Sequence, residues 1–157
     1  MDATDKSILS VLQNEFPICA KPYDILAEKL GLTVDDLWER INKMMDSGVI
    51  RRSGASLDSK KLGYSSTLAA VRVEHAVVDH AAELISSYHE VTHSYQRDNE
   101  YNIWFTLIAV SDGRIAEILE EIRVKLDLDD SDVLNLPVLK LFKLDARFKT
   151  GADKKSK

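Results

Sequence analysis

The sequence predicts an α+β chain in two parts: an N-terminal winged helix-turn-helix and then a ferredoxin-like βαββαβ domain. Three observations predict it. Apolar residues recur at helical spacing through the first third of the chain. The period changes from Ser65 on, where "STLAAVRV" reads as an apolar strand. Beyond it, helix and strand patterns follow in the order βαββαβ. The expected division is 1–62 for the winged helix-turn-helix, 63–149 for the sheet domain and 150–157 for a disordered tail.

Each element has its own signal. Residues 5–14 set Ile8, Leu9 and Leu12 on one helical face, and Pro17 and Pro22 break the pattern. "YDILAEKLG" is a short second helix through Ile25, Leu26 and Leu30, closed by Gly31. Thr33 with Asp36 resembles a capping box, with Asp in place of Glu or Gln. The third helix carries Leu37, Trp38, Ile41, Met44 and Met45 as an apolar stripe, on which Trp38 reads as core, and Gly48 stops it. "VIRRSGASLDSKKLGY" then reads as a β-wing that opens with a short strand. In the second part, helix 77–88 shows Val77, Ala81, Leu84, Ile85 and Tyr88 on one face. Strands near 91–97 and 101–110 flank the turn "DNE". Helix 114–126 shows Ile115, Ile118, Leu119, Ile122 and Leu126, and a last strand lies within "LPVLKLFKLDARF". Two helices on one face of such a sheet leave the other face in need of a cover, a second copy or a related chain.

Composition narrows the function. No apolar run approaches the roughly 20 residues that span a bilayer, and "MDATDKSILS" lacks the pattern of a secretory signal. The lone Cys19 excludes an internal disulfide and a cysteine-based metal cluster. A reducing cytoplasm is the natural compartment. The net charge is −5, where a nucleic-acid binder usually shows a basic domain or stripe. The third helix, which would read DNA, sets Asp35, Asp36, Glu39 and Asp46 against Arg40 and Lys43. Those carboxylates oppose the phosphate attraction that supplies most non-specific affinity, so the charges argue against DNA while the fold argues for it. Asp127, Asp129, Asp130 and Asp132 lack the Gly and Glu of a calcium loop and read as a solvated loop.

The stretch "HSYQRDNEYNIWFTL", residues 93–107, is more polar than core filling requires. Alternation along its first strand places Val91, His93, Tyr95 and Arg97 on one face, a row with a repeat of about 7 Å. On the second strand, Asn102, Trp104 and Thr106 share a face opposite to Tyr101, Phe105 and Leu107. A strand histidine also serves as a plain surface residue, and Tyr101 and Trp104 also serve as cross-strand packing. His89 sits at a helix end, where it suits the dipole. His75 and His80 read as surface residues, and an iron-ligating role stays open for His89 or His93.

The two-part layout resembles the leucine-responsive (Lrp/AsnC) regulators over nearly the whole chain. Within that layout, three segments resemble siroheme decarboxylase subunits: "GASLDSKKLGYSSTLAAVRV" at 54–73, "VTHSYQRDNEYNIWFTLIA" at 91–109 and "LPVLKLFKL" at 136–144. The H-x-Y-x-R and Y-N-x-W-F-T runs of the second are the most specific. The resemblance implies removal of CO2 from two acetate side chains of siroheme to give didecarboxysiroheme, in an alternative route to heme or in heme d1 synthesis. It implies a working unit of two homologous subunits and no cofactor or protein-bound metal beyond the iron of the siroheme itself. A flat ring bearing eight carboxylates needs cations at its rim and aromatic or apolar walls. On that basis His93 is the expected proton donor, Arg97 the carboxylate clamp and Tyr95 an aid to either. Tyr101, Asn102 and Trp104 would line the site. Arg51, Arg52, Lys60, Lys61, Arg72 and Arg147 are looser candidates for the outer carboxylates. Two other classes compete: a ligand-sensing DNA-binding regulator of the same fold, and a tetrapyrrole carrier without chemistry.

Overall fold

The structure, a computed structural model, describes residues 1–145 and 147–151, so the expected tail lies outside the described residues from 152 on. The chain divides into two compact units: Met1–Ala55 together with the segment from Lys143, and Ser56–Phe142.

The first unit is a three-helix module of α1 (Ala3–Asn14), α2 (Pro22–Leu30) and α3 (Val34–Asp46). Pro22 stands at the first position of α2, where its missing N–H costs nothing. Gly31 ends α2 at φ 67°, a left-handed conformation that glycine alone adopts without strain. Thr33 caps α3 by accepting from the Asp36 N–H at 3.1 Å. The Asp36 carboxylate answers on the Thr33 hydroxyl at 2.7 Å, not on the backbone N–H that a capping box uses. Ile8, Val11, Leu26, Leu37, Ile41 and Met44 make the core. The buried stripe of α3 is narrower than expected. Trp38 is 38% exposed and leans on Tyr23, ring centroids 4.3 Å apart, and Met45 is exposed. The expected wing is also different: residues 47–64 form turns and irregular backbone without paired strands. Near the C-terminal end, Gln13 accepts from the Phe148 N–H at 2.9 Å and donates to its carbonyl at 3.3 Å.

The second unit is the expected βαββαβ fold, with β1 (Ser65–Val71), α4 (Val78–Ser86), β2 (Val91–Gln96), β3 (Ile103–Ala109), α5 (Asp112–Lys125) and β4 (Val133–Pro137). The strands form one antiparallel sheet in the order β2-β3-β1-β4. β3 alternates strictly between buried and half-buried residues. Ile103, Phe105, Leu107 and Ala109 face α4 and α5 and pack with Val71, Ile85, Ile118 and Ile122. The last strand begins at Val133, three residues before the segment in which it was expected and reaching into it only as far as Pro137. Its lead-in is the aspartate loop, which is not simply solvated. Asp132 pairs with Arg72, and Asp129 and Asp132 cap a short 3-10 turn at Asp130–Asp132.

Candidate functional site

The site lies on the sheet face turned away from the helices. β2 and β3 pair His93 with Thr106 and Tyr95 with Trp104. Because Phe105 and Leu107 point into the core, Trp104 and Thr106 point the other way, and the register carries His93 and Tyr95 with them. Val91 does not join that row. It pairs with Leu107 and packs against the core, because a β-bulge at Thr92 inserts one residue between Val91 and His93. The expected four-residue row is therefore three residues long.

The imidazole and phenol of that row lie nearly parallel, with ring centroids 6.3 Å apart and planes 19° apart. The bulge residue serves the histidine: Thr92 Oγ1 stands 3.1 Å from His93 Nδ1 while its hydroxyl donates to the Thr106 carbonyl at 3.4 Å. A hydroxyl that donates to Thr106 can accept from Nδ1–H, an arrangement in which Nε2 is the nitrogen that gains and loses a transferable proton. Beside the Tyr95 phenol lies a cavity of about 320 Å³ lined by Leu68, Tyr95, Arg97, Asn99, Trp104, Phe105 and Thr106; His93 is not among the lining residues. That is near the low end for ligand pockets, roughly 300–1,000 Å³. Tyr95 is 53% exposed, and His93 and Arg97 are exposed. Arg97 makes no ion pair among the described residues, in contrast with Arg40, Arg72, Arg114, Arg123 and Arg147, which all bond carboxylates.

The other residues singled out in the sequence are distributed differently. Asn102 is 4% exposed. Its amide closes on the main chain of Val73, accepting from the N–H at 3.1 Å and donating to the carbonyl at 2.8 Å. It is thus part of the interior and does not share a face with Trp104. The Tyr101 hydroxyl donates to the Ser131 carbonyl at 2.7 Å, and Trp104 Nε1 donates to the Tyr101 carbonyl at 2.8 Å. Arg72 bonds Glu100 and Asp132. Arg51, Arg52, Lys60 and Lys61 are exposed in the irregular segment before β1. Arg147 pairs with Asp145. Thr92 is the residue that sequence reasoning passed over, because simple alternation has no place for a bulge. His89 Nδ1 lies 2.9 Å from the Glu90 carboxylate, which also accepts from Arg114 at 3.2 Å. Burial opposes the charge of Glu90, but hydrogen bonds from its own backbone and from Arg114 outweigh that and hold its pKa below the ordinary value.

In the helical unit both cations of α3 are engaged. Arg40 donates to Asp2 at 2.9 Å and to Asp5 at 2.7 Å, and Lys43 donates to Glu39 at 2.6 Å. Each of Asp2 and Asp5 is held below its ordinary pKa by the other's backbone N–H and then by Arg40.

A three-helix module followed by this sheet domain is the architecture of AsnC-type chains, and the AsnC-like ligand binding domain matches residues 61–143. The siroheme decarboxylase NirDL-like HTH domain matches residues 5–51. The chain is 39% identical to the siroheme decarboxylase alpha subunit of Nitratidesulfovibrio vulgaris over 149 residues, 95% of this chain and 83% of that one. It is 35% identical to the siroheme decarboxylase NirD subunit of Pseudomonas aeruginosa, over 98% of this chain and all of that one. Among solved structures, the siroheme decarboxylase NirDL in complex with an iron-uroporphyrin III analogue superposes with a TM-score of 0.70 at 26% identity. That match covers 90% of this chain, which spans 46% of the NirDL chain. The chain belongs to the siroheme decarboxylase family.

Proposed function

We propose that the chain is one subunit of a siroheme decarboxylase, a carboxy-lyase that works with a homologous second subunit in the reducing cytoplasm. The observation that carries the reading is the row His93–Tyr95–Arg97 on the open sheet face, with Tyr95 paired beside Trp104, with Tyr95, Arg97 and Trp104 lining a cavity, and with Arg97 free of any ion pair among the described residues. Trp104 and Leu68 offer an aromatic and apolar wall, and the unpaired guanidinium offers two parallel donors to a carboxylate. For each acetate, the bond between the methylene and the carboxylate carbon breaks and CO2 leaves. The electron pair passes into the conjugated ring, and one proton is delivered to the methylene, which becomes a methyl group. His93, protonated at Nε2, delivers that proton. Tyr95, stacked beside it, aids the delivery. Arg97 holds the reacting or the neighbouring carboxylate. Tyr101 and Trp104 border the site, and Arg51, Arg52 and Lys60 meet outer carboxylates. A macrocycle overfills a cavity of about 320 Å³, so the second subunit supplies the facing wall. The substrate's own iron is the metal of the reaction.

The regulator reading has less support. A DNA-reading helix needs free cations, and both cations of α3 are bonded to carboxylates.

The test is anaerobic incubation of the protein with siroheme, alone and with the homologous subunit from the same genome, followed by mass spectrometry of the tetrapyrrole. Loss of two CO2 is expected with both subunits present. An unchanged tetrapyrrole in the presence of both chains would overturn the reading.

A further inference from the structure

The turn joining β2 to β3 carries the cavity's guanidinium, Arg97, at one foot and leads past the other foot to its indole, Trp104. Three ties fix that turn. The Asn102 N–H donates to the Val71 carbonyl at 3.0 Å while its side chain closes on Val73. Tyr101 reaches the Ser131 carbonyl, and its own carbonyl holds the Trp104 indole. Glu100 accepts from Arg72, whose Nε donates to Asp132 at 2.7 Å and whose guanidinium lies 5.9 Å from the centre of the Tyr101 ring. Arg72 thus stands between the turn and the lead-in to β4.

A basic residue bonded to the turn that carries Arg97 invites a substrate-binding role. Its charge, however, is already met by two carboxylates, and a substrate carboxylate would have to displace one of them. Arg97 has no such competitor among the described residues. We propose that Arg72 is a positioning residue. Through Glu100 and Asp132 it holds the 97–102 turn so that Arg97 and Trp104 keep their places, and it does not bind substrate itself. The proposal rests on the decarboxylase reading.

Glu100→Gln separates the two roles, because it takes one of the two carboxylate partners from the Arg72 guanidinium without removing the guanidinium. Siroheme turnover by the two-subunit enzyme is compared for wild type, Glu100→Gln, Arg72→Gln, Arg72→Lys and the double variant Glu100→Gln/Arg72→Gln. Misplacement of a clamp by about 1 Å can cost up to a hundred-fold. Each Gln variant should therefore raise KM by about ten- to a hundred-fold, with a smaller change in kcat. The double variant should be no worse than the worse single one, and Arg72→Lys should recover part of the loss. A direct role predicts the opposite for Glu100→Gln, and an unchanged or lowered KM there would overturn the proposal. The second readout needs no turnover. The indole ¹H–¹⁵N resonance of Trp104, told from that of Trp38 with Trp38→Phe, should shift in both Gln variants, and its staying at the wild-type position would overturn the proposal. Wild-type enzyme that leaves siroheme unchanged would fault the decarboxylase reading instead, and the Trp104 resonance would still decide the role of Arg72.

Discussion

On the helix side of the sheet, Val71, Ile103, Phe105 and Leu107 are at most 1% exposed; on the other side, Leu68 is 41% and Tyr95 is 53% exposed. These residues belong to the same strands, often as chain neighbours. Phe105 lies in the core beside α4 and α5, while Trp104 and Thr106 on either side of it line the cavity. A period of two lets one strand serve two purposes without compromise between them. The helix-covered face supplies the apolar burial that stabilises the unit. The open face is free to hold polar groups that would be costly in a core. Stability and activity should therefore be separable by single substitutions at adjacent positions.

The largest effect expected is on the open face. His93→Ala and Arg97→Ala should each lower turnover by about a hundred- to ten-thousand-fold and leave the thermal midpoint unchanged. Rates with siroheme and melting curves measured on the same samples check this. Wild-type rates would remove the two residues from the chemistry, and a collapsed midpoint would show that the open face also carries the fold. The neighbouring pair Phe105→Ala and Thr106→Ala sharpens the comparison. Phe105→Ala should cost roughly 3–5 kcal/mol in urea unfolding. Thr106→Ala should cost under about 1 kcal/mol, the span of strand propensity. Equal losses would break the division between faces.

The smallest effect is a pH dependence. Hydrogen bonds from Arg72, and then from the Asp129 backbone, hold the Asp132 carboxyl below its ordinary value of 3.8. A carboxyl lowered on folding adds stability that is present above 3.8 and lost as the pH falls through the folded value. Arg72→Gln should flatten the fall in stability below that pH. Urea titrations from neutral pH into the acid range would show it, and an unchanged slope would mean that the pair contributes nothing there.

Much of this was legible in the sequence, for reasons visible residue by residue. The α3 pattern from Leu37 to Met44 and the alternation from Ile103 to Ala109 are local, so the chain alone reveals them. The Thr33 cap and the Gly31 stop are local too. What escaped depends on partners distant in sequence. Whether Asn102 faces the cavity or the interior is decided by Val73, 29 positions away. The start of β4 at Val133 is decided by its pairing with Val71. Trp38 satisfies the helical stripe, yet it rests on Tyr23 at the rim, because Leu37 and Ile41 already fill the centre. The three-residue row itself follows from alternation after the bulge, while its upper limit, at Thr92, does not.

That bulge has a consequence for how such a surface withstands a change in chain length. Alternation ties every residue of a strand to its neighbours, so a core position at 91 would force 93 into the core as well. One inserted residue resets the phase at that point. Val91 meets the inward Leu107, His93 and Tyr95 meet the outward Thr106 and Trp104, and Ser94 between them meets the inward Phe105, the pairing an uninterrupted strand without Thr92 would have. A codon gained at the position of Thr92 would thus be absorbed where it enters, leaving the row on the open face, with no change in the helices, the order of the strands or the hydrophobic half of the sheet.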